Sequence, residues 1–133
     1  MTDLLADPPA PLDASIGLVA VEVTDDAVIL RLDPTEAALG GDEPRPFLHG
    51  GTLATCVDTA AWYAIAQASP GTWVAVDLRC DFLRLADPVA HRVTATCRRA
   101  GRTLAVADVE IAPWDDAERV VAVGRAQFAR VAS

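Results

Sequence analysis

The sequence predicts a single α+β domain in which one apolar helix packs against a sheet of six antiparallel strands. Three observations favour this class. One stretch of the 133 residues, 52–67, is rich in alanine and long enough for a helix. Six other stretches show short aliphatic runs or the period-two alternation that is typical of strands. The chain is also too short to hold a catalytic domain and a separate regulatory domain.

The N-terminal part is predicted to contain an arm, a hairpin and a long loop. Residues 1–13 include three prolines and are expected to form a flexible arm, so the domain proper covers residues 14–133. Aliphatic runs at 16–23 and 27–32 predict two strands joined by a tight acidic turn. A loop rich in glycine and proline follows, at residues 33–48, and leads into the helix.

The helix and the remaining strands make up the rest of the domain. The helix is expected to begin after His49-Gly50-Gly51, with Gly51 or Thr52 as its cap, and to end before the Ser-Pro-Gly sequence at 69–71. Alternation then predicts a strand to residue 82, followed by strands at 90–99, 103–112 and 119–130. The order β-β-α-β-β-β-β suggests an antiparallel meander that curls around the helix.

Composition excludes several classes of function. The net charge is -8 and no segment gathers basic residues, so neither nucleic acid nor a membrane surface is expected as a partner. The chain contains no lysine, which excludes Schiff-base and lysine-nucleophile chemistry. None of its serines, Ser15, Ser69 and Ser133, lies in the G-x-S-x-G sequence of a serine hydrolase.

The cysteines and the N-terminus suggest a cytoplasmic protein without a metal site. Cys56, Cys80 and Cys97 lie far apart in apolar stretches, without the spacing of metal ligands, and are predicted to be reduced core residues. The first residues are acidic and lack the pattern of a signal peptide. The uncharged run around the helix is interrupted at its middle by Asp58, which disfavours a membrane span.

Asp58 is the main candidate for a catalytic residue. A carboxylate in an otherwise uncharged helix loses hydration, and such a group is a candidate base or nucleophile. The turn at His49 and Gly50 opens the same helix, where free N–H groups and the helix dipole would stabilise an oxyanion. His49 and Asp58 are separated by about 13 Å at 1.5 Å per residue. We therefore expect a site formed by two antiparallel helices in a symmetric dimer.

Structural interpretations remain open for each of these residues. Asp58 would be a structural acid if backbone groups or an arginine such as Arg79 satisfied it. His49 is expected to support the turn rather than to transfer protons. Gly50 and Gly51 would also serve a tight entry into a helix.

The sequence resembles a known family. The run HGGTLATCVDTA, with VDLRCDFLRLADP, GRTLAVADVEI and RAQF after it, is similar to the small hotdog-fold acyl-CoA thioesterases of the phenylacetate-pathway type, within the PaaI-like and 4-hydroxybenzoyl-CoA thioesterase superfamily. The likeness covers about residues 16–131. It implies a hotdog fold, in which the sheet wraps around a central helix. It also implies homodimers with sheets paired edge to edge, and tetramers formed as dimers of dimers.

The resemblance implies roles for individual residues. Gly50 would supply the oxyanion-hole N–H, His49 would shape that turn, and Asp58 of the facing subunit would be the nucleophile or general base. The substrate would be an acyl-CoA, so that coenzyme A is part of the substrate and no separate cofactor is expected. Many relatives carry Asn where this chain has Glu43, and several carry a small or hydroxylated residue where it has Trp62.

Other residues are candidates for substrate binding. Gly51 and Trp62 are expected to contact the acyl group or the thioester. Arg99, Arg102 and Thr103 flank a predicted hairpin turn, and their guanidinium and hydroxyl groups suit the phosphates of coenzyme A. An ordinary solvated hairpin would contain the same residues.

Two rival functions use the same fold. An enoyl-CoA hydratase would need an acid and a histidine a few residues apart, whereas here the histidine precedes the acid by nine residues. A non-catalytic module that binds acyl-CoA or an aromatic ligand is the alternative from a different class, since a fold does not determine a function.

Overall fold

A computed structural model of the chain describes residues 3–41 and 44–131. The helices and strands are α1 Pro11–Ile16, β1 Leu18–Val23, β2 Val28–Leu32, β3 Leu39–Gly40, β4 Phe47–Leu48, α2 Gly50–Ala68, β5 Trp73–Phe82, β6 His91–Ala100, β7 Leu104–Pro113 and β8 Ala122–Arg130. Six of these strands form one antiparallel sheet in the order β1-β2-β6-β7-β8-β5. The predicted α+β class, with one long helix and a six-stranded antiparallel sheet, is confirmed.

The predicted meander is wrong in one respect, the place of β5. This strand follows α2 but pairs with β8, while β6 pairs with β2. Strands β1 and β5 are therefore the two edges of the six-stranded sheet. Alternation in a sequence shows which face of a strand is buried, but it carries no information on which strand lies beside it.

A short helix occupies the end of the predicted N-terminal arm. Residues 11–13 belong to α1, which starts at Pro11, and the first strand begins at Leu18 rather than at residue 16. Proline is well tolerated at the start of a helix because the N–H that it lacks would have no helical partner there. Gly17 ends the helix with φ 89°, a left-handed conformation that favours glycine. Residues 1 and 2 of the predicted arm lie outside the described residues.

The predicted loop at 33–48 contains small elements that support the start of α2. A 3-10 turn at Glu36–Ala38 leads into β3, which pairs with β4 immediately before the helix. The Ala38 carbonyl accepts hydrogen bonds from the His49 N–H at 2.9 Å and from the Thr52 hydroxyl at 2.8 Å. These bonds hold the helix start against the preceding segment.

The core lies between α2 and the inner face of the sheet. The helix packs on β5, β6, β7 and β8, and its buried positions recur at helical spacing. They are Thr52, Leu53, Cys56, Val57, Ala60, Ala61, Ala64, Ile65 and Ala66. The opposite side of α2, which carries Asp58, faces away from the sheet and is partly exposed in the single chain.

The edge strand β5 exposes large apolar side chains. Val74 is 46% exposed, Val76 is 55% exposed and Phe82 is 55% exposed. A register shift between Ala75 and Asp77 interrupts the predicted alternation.

None of the helices in the described part of the chain is long and apolar enough to cross a bilayer.

Candidate active site

The imidazole of His49 caps the start of α2. His49 has extended backbone angles, φ −61° and ψ 139°, and its Nδ1 accepts the Gly51 N–H at 2.8 Å. The side-chain cap is thus His49 rather than Gly51 or Thr52. Because Nδ1 is an acceptor in this bond, the proton of the neutral ring lies on Nε2. The contact gives His49 a role in shaping the turn.

The N–H of Gly50, in the first turn of α2, has no acceptor among residues 3–41 and 44–131. A Cβ at Gly50 would lie 3.4 Å from Cζ of Phe82, so this turn adjoins the end of β5. The first N–H groups of a helix have no helical partner and lie at the positive end of its dipole. This donor is therefore available to a developing negative charge on a ligand.

Asp58 projects from the side of α2 that does not face the sheet. Within the described residues it forms no ion pair or side-chain hydrogen bond, and Arg79 instead pairs with Asp81 at 3.2 Å. Loss of hydration, with a smaller contribution from the Asp13 carboxylate, raises the pKa of Asp58. A carboxylate without a partner and with a raised pKa is suited to accept a proton or to attack a carbonyl.

A cavity of ≈ 530 Å³ opens beside Asp58. It lies between one side of α2, the N-terminal segment and the start of β5. Its lining consists of Leu4, Asp7, Pro8, Ala10, Asp13, Asp58, Thr59, Trp62, Tyr63, Val74, Ala75 and Phe128. The rings of Trp62 and Tyr63 meet edge to face with their centroids 5.2 Å apart. The structure thus places the predicted binding residue Trp62 in the same cavity as Asp58.

Gly50 and Asp58 do not meet within one chain. They are eight residues apart on α2, which separates them by about 12 Å along the helix axis. They also lie at opposite ends of β5, because Gly50 adjoins Phe82 whereas Asp58 shares its cavity with Val74. A single chain therefore holds two halves of a candidate site.

The predicted phosphate-binding residues lie at another end of the fold. Arg99 lines a second cavity with Gln67 and Ala68, at the C-terminal end of α2. Arg102 is exposed beside it, and its carbonyl accepts a hydrogen bond from Arg130 at 3.0 Å. Thr103 is exposed next to Arg102. The structure does not bring these residues to Gly50 or Asp58 of the same chain.

Sequence reasoning missed Asp13 and Thr59. The Thr59 hydroxyl donates a 2.7 Å hydrogen bond to Oδ1 of Asp13, which is only 8% exposed. An acid among prolines near the N-terminus carries no signal of burial, and only the fold places α1 beside α2. Glu43, which the resemblance singled out, lies outside the described residues.

The cysteines are free thiols, as predicted. Cys56 is completely buried on the sheet side of α2, and burial raises the pKa of its thiol to about 12. A thiol of this kind is a poor nucleophile, since the thiolate is the reactive form. In residues 3–41 and 44–131, no group of three or more His, Cys, Asp or Glu side chains is arranged to hold a metal ion.

The fold and the two half-sites define a class, namely hotdog-fold proteins with a glycine turn at the start of the central helix and an acid further along it. Residues 46–122 match the thioesterase superfamily, and the chain belongs to this superfamily. The resemblance found in the sequence is thereby confirmed.

Three relatives illustrate the relationship. A Halobacterium salinarum protein, whose name assigns it provisionally to the esterases, is 33% identical over 123 residues, covering 85% of this chain and 80% of that protein. The Escherichia coli PaaI protein from the phenylacetic acid degradation operon is 26% identical, with a TM-score of 0.77 over 93% of this chain and 86% of its own. Zebrafish thioesterase superfamily member 2 is 25% identical, with a TM-score of 0.75 over 96% and 91%. These relationships support thioester hydrolysis as the general activity.

Proposed function

We propose that the protein hydrolyses acyl-CoA thioesters to a carboxylic acid and coenzyme A, in sites that two chains share. Membership of the thioesterase superfamily supports the reaction class. The observation that carries the proposal is the position of the two half-sites at opposite ends of the same edge strand, β5. A second copy of the chain would bring complementary halves together.

The edge of β5 suits such a pairing. Strand β5 is hydrogen-bonded to β8 on one side and ends the six-stranded sheet on the other. Val74 and Phe82 are each four residues from Leu78, so antiparallel pairing of two β5 strands about Leu78 would set Val74 opposite Phe82 of the partner subunit. Asp58 would then face Gly50 of the partner subunit, and the exposed apolar side chains of β5 would be covered.

The Gly50 N–H and the Asp58 carboxylate would carry out thioester hydrolysis together. The thioester oxygen would accept the Gly50 N–H, which stabilises the negative charge that develops on attack. Asp58 would either attack the carbonyl carbon, forming an anhydride that water hydrolyses, or remove a proton from an attacking water. In either route the C–S bond breaks when the tetrahedral intermediate collapses, which in the first route forms the anhydride, and the released sulfur of coenzyme A takes up a proton. No cofactor is needed beyond the coenzyme A of the substrate.

Coenzyme A recognition would take place in a larger assembly. Arg99 lies near the C-terminal end of α2, about 25 Å along the helix axis from Gly50 of its own chain. Together with Arg102 and Thr103, it would contact the phosphates of coenzyme A bound at a site of another subunit. This is consistent with a dimer of dimers, in which the hairpin of one dimer borders the site of the other.

The first experiment tests the reaction. Thiol release is measured from short-chain, medium-chain and aromatic acyl-CoA esters with the wild type and with Asp58→Asn. We expect hydrolysis by the wild type and a loss of at least about a hundredfold in the variant, the scale of a principal catalytic group. If the wild type hydrolyses none of the esters but binds them, the protein is a binding module instead.

The second experiment tests whether the site is shared. Gly50→Pro removes the N–H at the first helical position, where proline fits, and the backbone angles of His49 are those favoured before a proline. Gly50→Ala is the matched control, because it keeps the N–H and its Cβ makes an ordinary contact with Phe82. Gly50→Pro chains are co-expressed with Asp58→Asn chains.

A shared site predicts recovery in the mixture. Each mixed dimer would hold one intact site, which restores about a quarter of wild-type activity if the chains pair at random. Each variant expressed alone would remain inactive. A mixture as inactive as its two components would show that Gly50 and Asp58 of the same chain act together.

A further inference from the structure

The N-terminal segment, residues 4–13, forms one wall of the cavity beside Asp58. Leu4, Asp7, Pro8 and Ala10 line this wall, opposite the aromatic side chains of α2. The wall is therefore built from the part of the chain for which the sequence predicts an arm. Its side chains would contact any ligand that occupies the cavity beside Asp58.

A partly buried hydrogen bond holds the wall in place. Thr59 follows Asp58 directly on α2, and its hydroxyl donates to Asp13 at 2.7 Å. Asp13 lies in α1, which starts at Pro11 and ends at the left-handed Gly17. Because the bond joins α1 to the residue beside Asp58, the position of the wall is tied to the position of the acid.

The lining combines apolar surface with negative charge. Its apolar members are Leu4, Pro8, Ala10, Trp62, Tyr63, Val74, Ala75 and Phe128. Its acidic side chains are Asp7, Asp13 and Asp58, and none of its described lining residues is Arg or His. A carboxylate placed among them would lose hydration without gaining a cation, which is unfavourable. An uncharged apolar group would meet mostly apolar contacts.

We propose that the N-terminal segment is the acyl-binding wall of the enzyme and that Asp13 makes the site select uncharged acyl groups over acyl groups ending in a carboxylate. This inference rests on the proposed function and deepens it by defining the substrate class. It makes Asp13 a specificity-determining residue, and Thr59 a residue that positions it. Discrimination arises from repulsion of the unwanted group as much as from attraction of the preferred one.

Binding of non-hydrolysable ligands tests the inference apart from catalysis. The probes are two coenzyme A thioethers of equal chain length, S-hexyl-CoA and S-(5-carboxypentyl)-CoA, and calorimetry gives their dissociation constants. We expect the wild type to bind the neutral probe at least about tenfold more tightly, since a like charge is disfavoured at short range in a poorly hydrated site. Asp13→Asn keeps an oxygen that accepts from Thr59 and removes the charge, so the preference should fall to about threefold or less.

Two further variants separate charge in the cavity from other effects. Asp7→Asn changes an exposed wall residue and should also reduce the preference, even if Asp13→Asn impairs folding. Asp115→Asn removes the same charge at an exposed position outside the cavity and should leave the preference unchanged. Equal binding of both probes by the wild type would overturn the inference, as would a preference that persists in Asp13→Asn and Asp7→Asn, or failure to bind either probe. Selective binding without hydrolysis of any thioester would instead overturn the proposed function alone.

Discussion

Val57 of α2 packs directly on the bare backbone of Gly124 in β8. A Cβ at Gly124 would lie 2.6 Å from Cγ1 of Val57, 2.7 Å from its Cγ2 and 2.8 Å from the carbonyl oxygen of Arg79. These distances are too short for any side chain, and the Arg79 oxygen belongs to the paired strand β5. Gly124 therefore allows the helix that carries Asp58 to lie close to the sheet.

Gly124→Ala is expected to destabilise the protein by about 1–3 kcal/mol, the usual cost of an added methyl group in a filled core. Chemical denaturation of the wild type and the variant gives this difference. Val57→Ala in the Gly124→Ala background should restore part of the loss, because it removes two of the three close contacts. Equal stability of Gly124→Ala and the wild type would show that α2 does not pack this closely on β8.

Val76→Glu tests the role of the β5 edge. In the proposed dimer, Val76 lies two residues from the two-fold axis at Leu78, so the variant places a carboxylate of each chain at the paired edges, where it loses hydration, and the dimer should dissociate. Sedimentation should show monomers, and thioester hydrolysis should fall by about tenfold or more as the shared sites are lost. Val19→Glu, at an exposed position of the opposite edge strand β1, is the matched control and should retain both properties. A dimeric and active Val76→Glu protein would place the interface elsewhere.

The pH dependence of hydrolysis should report the surroundings of Asp58. Loss of hydration and the neighbouring Asp13 raise the pKa of Asp58, and only its ionised form attacks or accepts a proton. Activity should therefore fall in acid at a higher pH than an ordinary aspartate would give. Asp13→Asn removes a negative neighbour and should shift this acid limb of kcat/KM to lower pH. An unchanged limb in Asp13→Asn would mean that another group controls the rate in acid.

His91 should make the folded state sensitive to mild acid. Its side chain is 0% exposed, Nδ1 contacts the Val89 carbonyl at 2.6 Å, and Nε2 has no partner among the described residues. Burial lowers the pKa of His91, although the Val89 contact and Asp87 oppose this effect. The unfolded chain therefore binds a proton at a higher pH than the folded one. The neutral ring therefore contributes its full stabilisation at pH values above the pKa of the histidine in the unfolded chain. This stabilisation is lost as the pH falls towards the pKa of His91 in the folded protein.

Denaturation at several pH values tests this expectation. Below about pH 6.5, the free energy of unfolding of the wild type should decrease by up to about 1.4 kcal/mol per pH unit relative to His91→Gln. Parallel curves for the wild type and His91→Gln would mean that protonation of His91 does not oppose folding.

Some of the candidate site could be predicted from the sequence because its signals are local. An uncharged helical run that contains one aspartate, with His49-Gly50-Gly51 at its start, predicts Asp58 and Gly50 as candidate site residues. The rise of a helix per residue also implied that Gly50 and Asp58 could not meet in one chain. The structure places them at opposite ends of β5. The cap was assigned to the wrong residue, because the bond from Gly51 to the His49 ring depends on a side-chain orientation that no pattern encodes.

The other features of the fold and of the candidate site depend on contacts between distant parts of the chain. The sequence alone determined the α+β class, the long helix and the acid within it, because periodicity and turn residues act over a few neighbouring positions. Only the tertiary structure decided that β5 is an edge strand and that α1 closes a cavity beside Asp58. The bond from Thr59 to Asp13 joins residues 46 positions apart. Such a contact forms because folding brings two buried surfaces together, and neither segment reveals its partner in its own sequence.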